Sequence, residues 1–150
     1  MIRVPDAPSA TSPAARRVMQ ANRSRDTAPE KALRSELHRR GLRFFIHRRP
    51  AQDLRCTADI VFPSAKVCVF VDGCFWHGCE EHRRLPARNA HYWAPKIANN
   101  VARDRRNDAA LAQAGWDVIR VWEHEPVPAA ADRVASALVT SRCGVLAADG

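Results

Sequence analysis

Residues 57–72 read TADIVFPSAKVCVFVD, two short apolar runs rich in β-branched and aromatic residues on either side of PSAK. Such runs, bounded by turn residues, are strands, and a connection this short folds them into an antiparallel hairpin. With PSAK as a four-residue turn, Phe62 faces Val67, Asp59 faces Phe70 and Asp72 faces Thr57. Side chains alternate along a strand, so Asp59 and Asp72 share a face as diagonal neighbours, about 7–8 Å apart at Cα. Two carboxylates so placed could share one hard cation, and Mg²⁺ suits carboxylate oxygens together with a substrate phosphate. A one-residue change of register would send them to opposite faces. Asp72 precedes Gly73 and reads equally well as a turn-initiating residue. Asp59 lies inside an apolar strand, where an ionised carboxylate is costly unless bound or exposed.

Upstream, LRFFIH (42–47) has the same strand character, and TAPEKALRSELHRR (27–40) is a helix. Thr27 is its N-cap, Pro29 lies in the first turn, Glu30 takes the capping-box position, Leu33 and Leu37 stack one turn apart, and Gly41 is the stop. Downstream, a Cys/His segment (74–82) and a basic loop lead to a second helix over Pro95–Ala114, a strand WDVIRVW (116–122) and a small helix over Ala129–Val139. The order α, β-β-β, α, β, α predicts a mixed α/β fold. Residues 1–13, with Pro5, Pro8 and Pro13 among small polar residues, predict a disordered tail, 14–140 a single domain, and 141–150 a frayed C-terminus.

At 150 residues and 46% hydrophobic, the chain can build one core. Lys+Arg 24 against Asp+Glu 16 gives a net charge of +8, which favours a polyanionic partner, nucleic acid first. Arginine outnumbers lysine 21 to 3, and arginine suits bidentate phosphate contact. The basic residues concentrate at Arg83, Arg84, Arg88, Lys96, Arg103, Arg105 and Arg106, opposed only by Asp104, with Arg16, Arg17, Arg23 and Arg25 upstream. No apolar run approaches the roughly 20 residues that span a bilayer, and MIRVPDAPSATSP has no apolar signal core, so the expectation is a cytoplasmic protein with no membrane partner. Five cysteines, an odd count, disfavour a secreted disulfide framework.

Four of the eleven Cys and His residues fall in CFWHGCEEH: Cys74, His77, Cys79 and His82. Thiolate and imidazole at short spacing are the ligands of tetrahedral Zn²⁺, which stabilises a loop with little core of its own. The spacing allows all four to bind one ion, or three of them with a distant fourth, for which His124 after the last strand is the candidate. Cys56, Cys68 and Cys143 have no such company and read as packing or surface thiols. Phe75 and Trp76 sit between candidate ligand positions on a pinned loop, where they either wedge into a base stack or cover the metal site. Trp93, Trp116 and Trp122 fall at helix and strand positions suited to core.

VDGCFWHGC, the spaced YW, KI and N of HYWAPKIANNVARDRR, the ending AGWDVIRVWEHE, and MQANRSRDTAPEK upstream together resemble the Vsr family of very-short-patch-repair DNA mismatch endonucleases, from about Thr11 to Glu125. The resemblance implies a restriction-endonuclease-like fold, α-β-β-β-α-β with a mixed central sheet, which matches the element order above. It implies nicking 5′ to the thymine of a T:G mismatch left by deamination of 5-methylcytosine in a methyltransferase site. It places the Mg²⁺-binding catalytic aspartate at Asp59, a metal-coordinating carbonyl at Val71 and a proton-transfer histidine at His77. Two further active-site positions fall on Asp72, a histidine in the best-known member, and on Glu30. The same resemblance assigns structural Zn²⁺ to Cys74, Cys79, His82 and His124, freeing His77 for chemistry, and wedge roles to Phe75 and Trp76 from one groove and Met19 from the other.

This sequence has a histidine where the best-known member has a zinc-ligating cysteine, with spacing changed by one residue near His82. Against the wider superfamily, Ala58 stands where proline is usual. Cys74 stands where a lysine would follow Asp72, leaving that lysine's work to His77. The partners implied are T:G-mismatched double-stranded DNA, with a functional link to a cytosine methyltransferase and mismatch-repair proteins, and the protein is expected to act as a monomer. A non-catalytic DNA-distortion binder would use the same wedge and basic surface but would not need Asp59 and His77. A structure-specific or RNA nuclease of the same fold would not need the aromatic pair.

Overall fold

The computed structural model describes residues 1–6, 13, 25–82 and 89–148, with side chains described as far as Ser141. Helix α1 (Ala28–Arg39) is followed by β1 (Phe45–Arg48), β2 (Ala58–Phe62), a 3₁₀ turn (Pro63–Ala65), β3 (Val67–Asp72), α2 (Ala90–Gln113), β4 (Asp117–Trp122) and α3 (Val127–Ala148). The strands form one sheet in the order β1-β2-β3-β4. The first three are antiparallel neighbours and β4 runs parallel to β3, so α2 is the crossover that a parallel pair requires. The hairpin has the expected register, with Phe62 opposite Val67 and Ile60 opposite Val69.

Alternation along these strands divides the molecule into three layers. Ile60, Phe62, Val67, Val69, Ile119 and Val121 meet Leu33 and Leu37 of α1 and Ala130, Ala131, Val134 and Leu138 of α3 in the larger core. Leu37 is fully buried, a contribution of about 1.5–3 kcal/mol from its side chain. On the other face Val61 and Cys68 pack against Leu111 of α2, with Phe70 and Val118 beside them. That second face is where Asp59, Asp72 and Arg120 must also point, because they alternate in step with Val61, Cys68 and Val118.

Several boundaries differ from the sequence expectation. The first strand is confined to Phe45–Arg48. Helix α2 begins at Ala90 and carries Pro95 inside it. A proline this near the start removes a single helical hydrogen bond, and buried Tyr92 holds the preceding turn in place. Helix α3 runs to Ala148, well past Val139 and through most of the end expected to fray; nothing in VTSRCGVLAA except Gly144 interrupts it. In the N-terminal segment Ile2 exchanges two backbone hydrogen bonds with the side chain of Asn99 on α2.

Candidate active site

The carboxylate pair of the hairpin lies where the α2 face of the sheet turns from apolar to polar. Asp59, Asp72, His77 and Glu30 line one cavity of about 380 Å³, together with Val71, Arg55, Arg103, Asp104, Asn107 and Arg120. Asp59 Oδ2 accepts a hydrogen bond from the Val71 backbone N–H at 2.8 Å. Its other oxygen has no hydrogen-bond partner among the described residues. Burial raises the Asp59 pKa to about 6, against the opposing hydrogen bond from Val71. This half-buried carboxylate presents its second oxygen, unpartnered among the described residues, to a polar cavity, held by the strand that supplies Val71.

Asp72 has other partners. Both of its oxygens accept from Arg120 Nη1, at 3.0 and 2.7 Å. The same guanidinium grips Asp108 of α2 through Nε and Nη2, each at 2.8 Å, and lies over the Phe70 ring, its register neighbour, at 4.7 Å. Burial pushes the Asp72 pKa up, opposed by the charges of His77 and Arg120.

His77 Nδ1 lies 2.6 Å from Asp104 Oδ2 and 3.5 Å from Asp72 Oδ1. Burial disfavours the charged ring, but the Asp104 hydrogen bond and the Asp72 charge outweigh it, and the His77 pKa is raised. With Nδ1 committed to carboxylates, Nε2 is the nitrogen left for proton transfer.

Glu30 does two jobs on the backbone side of the cavity. Thr27 Oγ1 donates to Glu30 Oε1 at 3.0 Å and the Asp26 N–H to Oε2 at 2.9 Å, while the Glu30 N–H returns a 3.5 Å bond to Thr27 Oγ1. The helix start is therefore capped by a buried carboxylate that reaches one residue past the N-cap, to the Asp26 N–H, and also lines the cavity. His47 lies across from Asp59, as the pairs Ile46–Ile60 and Arg48–Ala58 require. Its φ of 47° is strained for a non-glycine residue in a strand, and its ring sits 3.3 Å from Asp26 and 4.0 Å from Glu30. Asp26, Glu30 and His47 are close enough to hold a cation, but the Arg34 guanidinium, 2.7 and 3.4 Å from the two carboxylates, already supplies that charge.

Beside this cavity the Cys/His loop folds back on itself. The ligand atoms of Cys74, Cys79, His82 and His124 all lie within 4.8 Å of one another. His124 Nδ1 is 3.1 Å from Cys74 Sγ and 3.8 Å from Cys79 Sγ, and His82 Nδ1 is 3.8 Å from Cys79 Sγ. A tetrahedral ion with Zn–S and Zn–N bonds near 2.3 and 2.0 Å needs neighbouring ligand atoms about 3.6 Å apart, so two thiols and two imidazoles fit such an ion closely. The outer contacts fit as well: His124 Nε2 faces Glu81 at 3.5 Å, and the Cys74 N–H donates to Glu123 at 2.7 Å. His77 stands outside the set, turned to Asp104. Gly78, at φ +69°, lets the loop pass α2, since a Cβ there would lie 3.1 Å from Val101.

Phe75 and Trp76 form a half-buried aromatic cluster with Trp93, at ring separations of 5.0, 5.3 and 5.6 Å. Trp93 therefore joins the loop aromatics and belongs to neither core cluster. Lys96 reaches over the rings of Trp76, Tyr92 and Trp93. Met19, Arg16, Arg17, Arg23, Arg83, Arg84 and Arg88 lie outside the described residues. Asp104, Asp108, Arg120 and His47 are site residues that the sequence reading did not single out. The only signal available was an i, i+4 acidic pair inside a basic helix and an arginine inside an apolar strand.

The fold is shared with the homing endonuclease I-Bth0305I catalytic domain, at a TM-score of 0.53 and 17% identity, covering 77% of this chain and 98% of that one. With the family and relatives that follow, this fold defines a DNA endonuclease of the restriction-endonuclease-like class. The family profile of the DNA mismatch endonuclease Vsr matches residues 10–83. The type II nicking enzyme V.NaeI of Lentzea aerocolonigenes is 48% identical over 125 residues, 81% of this chain and 75% of that protein. V.XorIIP of Xanthomonas oryzae pv. oryzae is 53% identical over 117 residues, 76% of this chain and 83% of that protein. The DNA mismatch endonuclease Vsr of Escherichia coli K12 is 40% identical over 106 residues, 70% of this chain and 66% of that protein. The chain belongs to the Vsr family of DNA mismatch endonucleases.

Proposed function

We propose that this protein nicks one DNA strand 5′ to the thymine of T:G mismatches that arise by deamination of 5-methylcytosine, using Mg²⁺ at Asp59 and a structural Zn²⁺ at Cys74, Cys79, His82 and His124. The observation that carries the reading is the single cavity in which the free oxygen of Asp59 and the carboxylate-held His77 lie beside the aromatic loop. Asp59 and the Val71 carbonyl would hold the ion, which supplies positive charge against the charge developing on the phosphate under attack. His77, its Nδ1 held by Asp104, would move a proton at Nε2. Arg55 and Arg103, exposed on the cavity rim, are placed to take adjacent phosphates. Glu30 and Asp72 frame the cavity from α1 and β3.

Recognition falls to Phe75 and Trp76, with Met19 proposed as a second wedge. Opening a base step costs a few kcal/mol, and less where pairing is already weak, as at a T:G wobble. The chain would act as a cytoplasmic monomer on nucleoid DNA, downstream of a cytosine methyltransferase and alongside mismatch-repair proteins. Among the described residues no helix is long and apolar enough to cross a membrane.

A panel of duplexes carrying each mismatch in varied contexts tests the activity, with T:G the expected substrate. In the same assay, the double change Phe75→Ala with Trp76→Ala is expected to leave salt-sensitive nonspecific binding nearly intact, since arginines supply it. It should abolish the preference for T:G over C:G duplexes and the unstacking signal of a fluorescent base analogue beside the mismatch. A folded double mutant that still selects T:G would reduce the aromatic pair to cover for the metal loop.

A further inference from the structure

We infer that Arg120 is a positioning residue of the nicking site: it withdraws Asp72 from cation binding and fixes it, with Asp104, as one of two carboxylates around Nδ1 of His77. The inference rests on the nuclease reading above and assigns Asp72 a role within it. Both Asp72 oxygens are taken by one guanidinium nitrogen, at 3.0 and 2.7 Å, so a divalent ion placed there would have to displace a buried charge-assisted pair and sit against a fixed positive charge. Asp59, with one oxygen unpartnered among the described residues, meets no such obstacle there.

Arg120 also determines where the walls of the site stand. From β4 its Nη1 holds Asp72 on β3, its Nε and Nη2 hold Asp108 on α2 in a fork, and Nη2 lies 3.8 Å from Asp104. The His77 ring sits between those same walls, 2.6 Å from Asp104 and 3.5 Å from Asp72. Phe70 backs the guanidinium, so its plane has little freedom. A residue that ties β3, β4 and α2 at one point fixes the ring's orientation without touching DNA or cation.

The test uses the full-length protein bound to a T:G duplex with a non-hydrolysable linkage, read by Mn²⁺ binding in electron paramagnetic resonance and by the ¹⁵N signals of the His77 ring. Nicking of the ordinary duplex is measured in parallel. Asp59→Asn is expected to weaken Mn²⁺ binding about tenfold or more, while Asp72→Asn and Arg120→Gln leave it within about twofold and lower the nicking rate about 10- to 100-fold at unchanged duplex affinity. The wild-type ring should show one tautomer, protonated at Nδ1, and Arg120→Gln should populate both.

Mn²⁺ binding weakened as much by Asp72→Asn as by Asp59→Asn would overturn the inference, as would an Arg120→Gln protein with unchanged ring signals and nicking. Should Arg120→Gln fail to fold, the isosteric Asp72→Asn still decides whether Asp72 binds the cation, and Asp108→Asn, which weakens the other half of the fork, decides the ring orientation. If the wild-type protein nicks no mismatch duplex, the nuclease reading fails on its own, while the Mn²⁺ and ring signals still decide the role of Arg120.

Discussion

Asp59→Asn is expected to abolish nicking, leave DNA binding in place, and make the protein without Mg²⁺ more stable above pH 6. The three outcomes have one cause, an aspartate half-buried in a strand and charged against its surroundings. Burial raises its pKa from 3.8 to about 6. A raised acid binds its proton more tightly folded than unfolded, so the fold loses stability as pH climbs from about 4 to about 6 and holds that loss above. At roughly 1.4 kcal/mol per pH unit the loss reaches about 3 kcal/mol. Asparagine keeps an oxygen for the Val71 N–H at the same place and removes the charge. Each kcal/mol recovered should raise Tm by about 2–4 °C at this chain length, with the gain fading below pH 4. Nicking runs the other way, because a cation needs the carboxylate ionised. Its rate should climb as pH rises through about 6, and further as His77, whose pKa is raised, sheds its proton. An Asp59→Asn protein that nicks at the wild-type rate, or a wild type fully active in EDTA, would end the mechanism.

The part of this site that could be read from sequence is the part fixed by local geometry. With PSAK as a four-residue turn Phe62 faces Val67, and the hairpin adopts that register, which puts Asp59 and Asp72 on one face. Thr27 and Glu30, three residues apart before an apolar repeat, close the cap they spell. What stayed hidden depends on how distant elements sit on one another. Asp104 and Asp108 look like solvated charges until the rotation of α2 over the sheet is known. Arg120 looks like a polar residue on a strand until its register beside Phe70 puts it over the polar end of that face. Trp93 reads as core from its helix position; in the fold, on the first turn of a helix that begins at Ala90, it turns to Phe75 and Trp76. His47 carries no pattern at all, since its role depends on one strained φ angle.

The second large effect expected is collapse on removal of a thiol–imidazole ligand. The purified protein is expected to hold one zinc ion tightly; Cys74→Ser or His124→Asn should eliminate it and cooperative unfolding with it, whereas His77→Asn should retain both. Structural zinc sites contribute about 10–16 kcal/mol of apparent binding energy in small metal-folded peptides, comparable to the whole stability of an ordinary domain. The loop that Cys74 and Cys79 anchor carries the aromatic pair and abuts the Asp59 cavity, so its loss cannot stay local. Sequence spacing equally allowed Cys74, His77, Cys79 and His82 to close a site by themselves. The arrangement of side chains favours His124, whose Nδ1 faces both sulfurs while Nε2 faces Glu81, over His77, whose Nδ1 faces Asp104. Metal analysis of the two histidine variants separates the cases: zinc lost from His77→Asn and kept by His124→Asn would assign His77 to the metal and remove it from proton transfer. Proton release gives an independent count. Burial pushes the Cys74 thiol up to about 11 without metal, so zinc must displace its proton. Calorimetry of zinc uptake at pH 7 in buffers of different ionisation heat should register about two protons per ion, one from each thiol. A count near one would mean that only one sulfur binds, and the four-ligand site would fail however well its atoms are spaced.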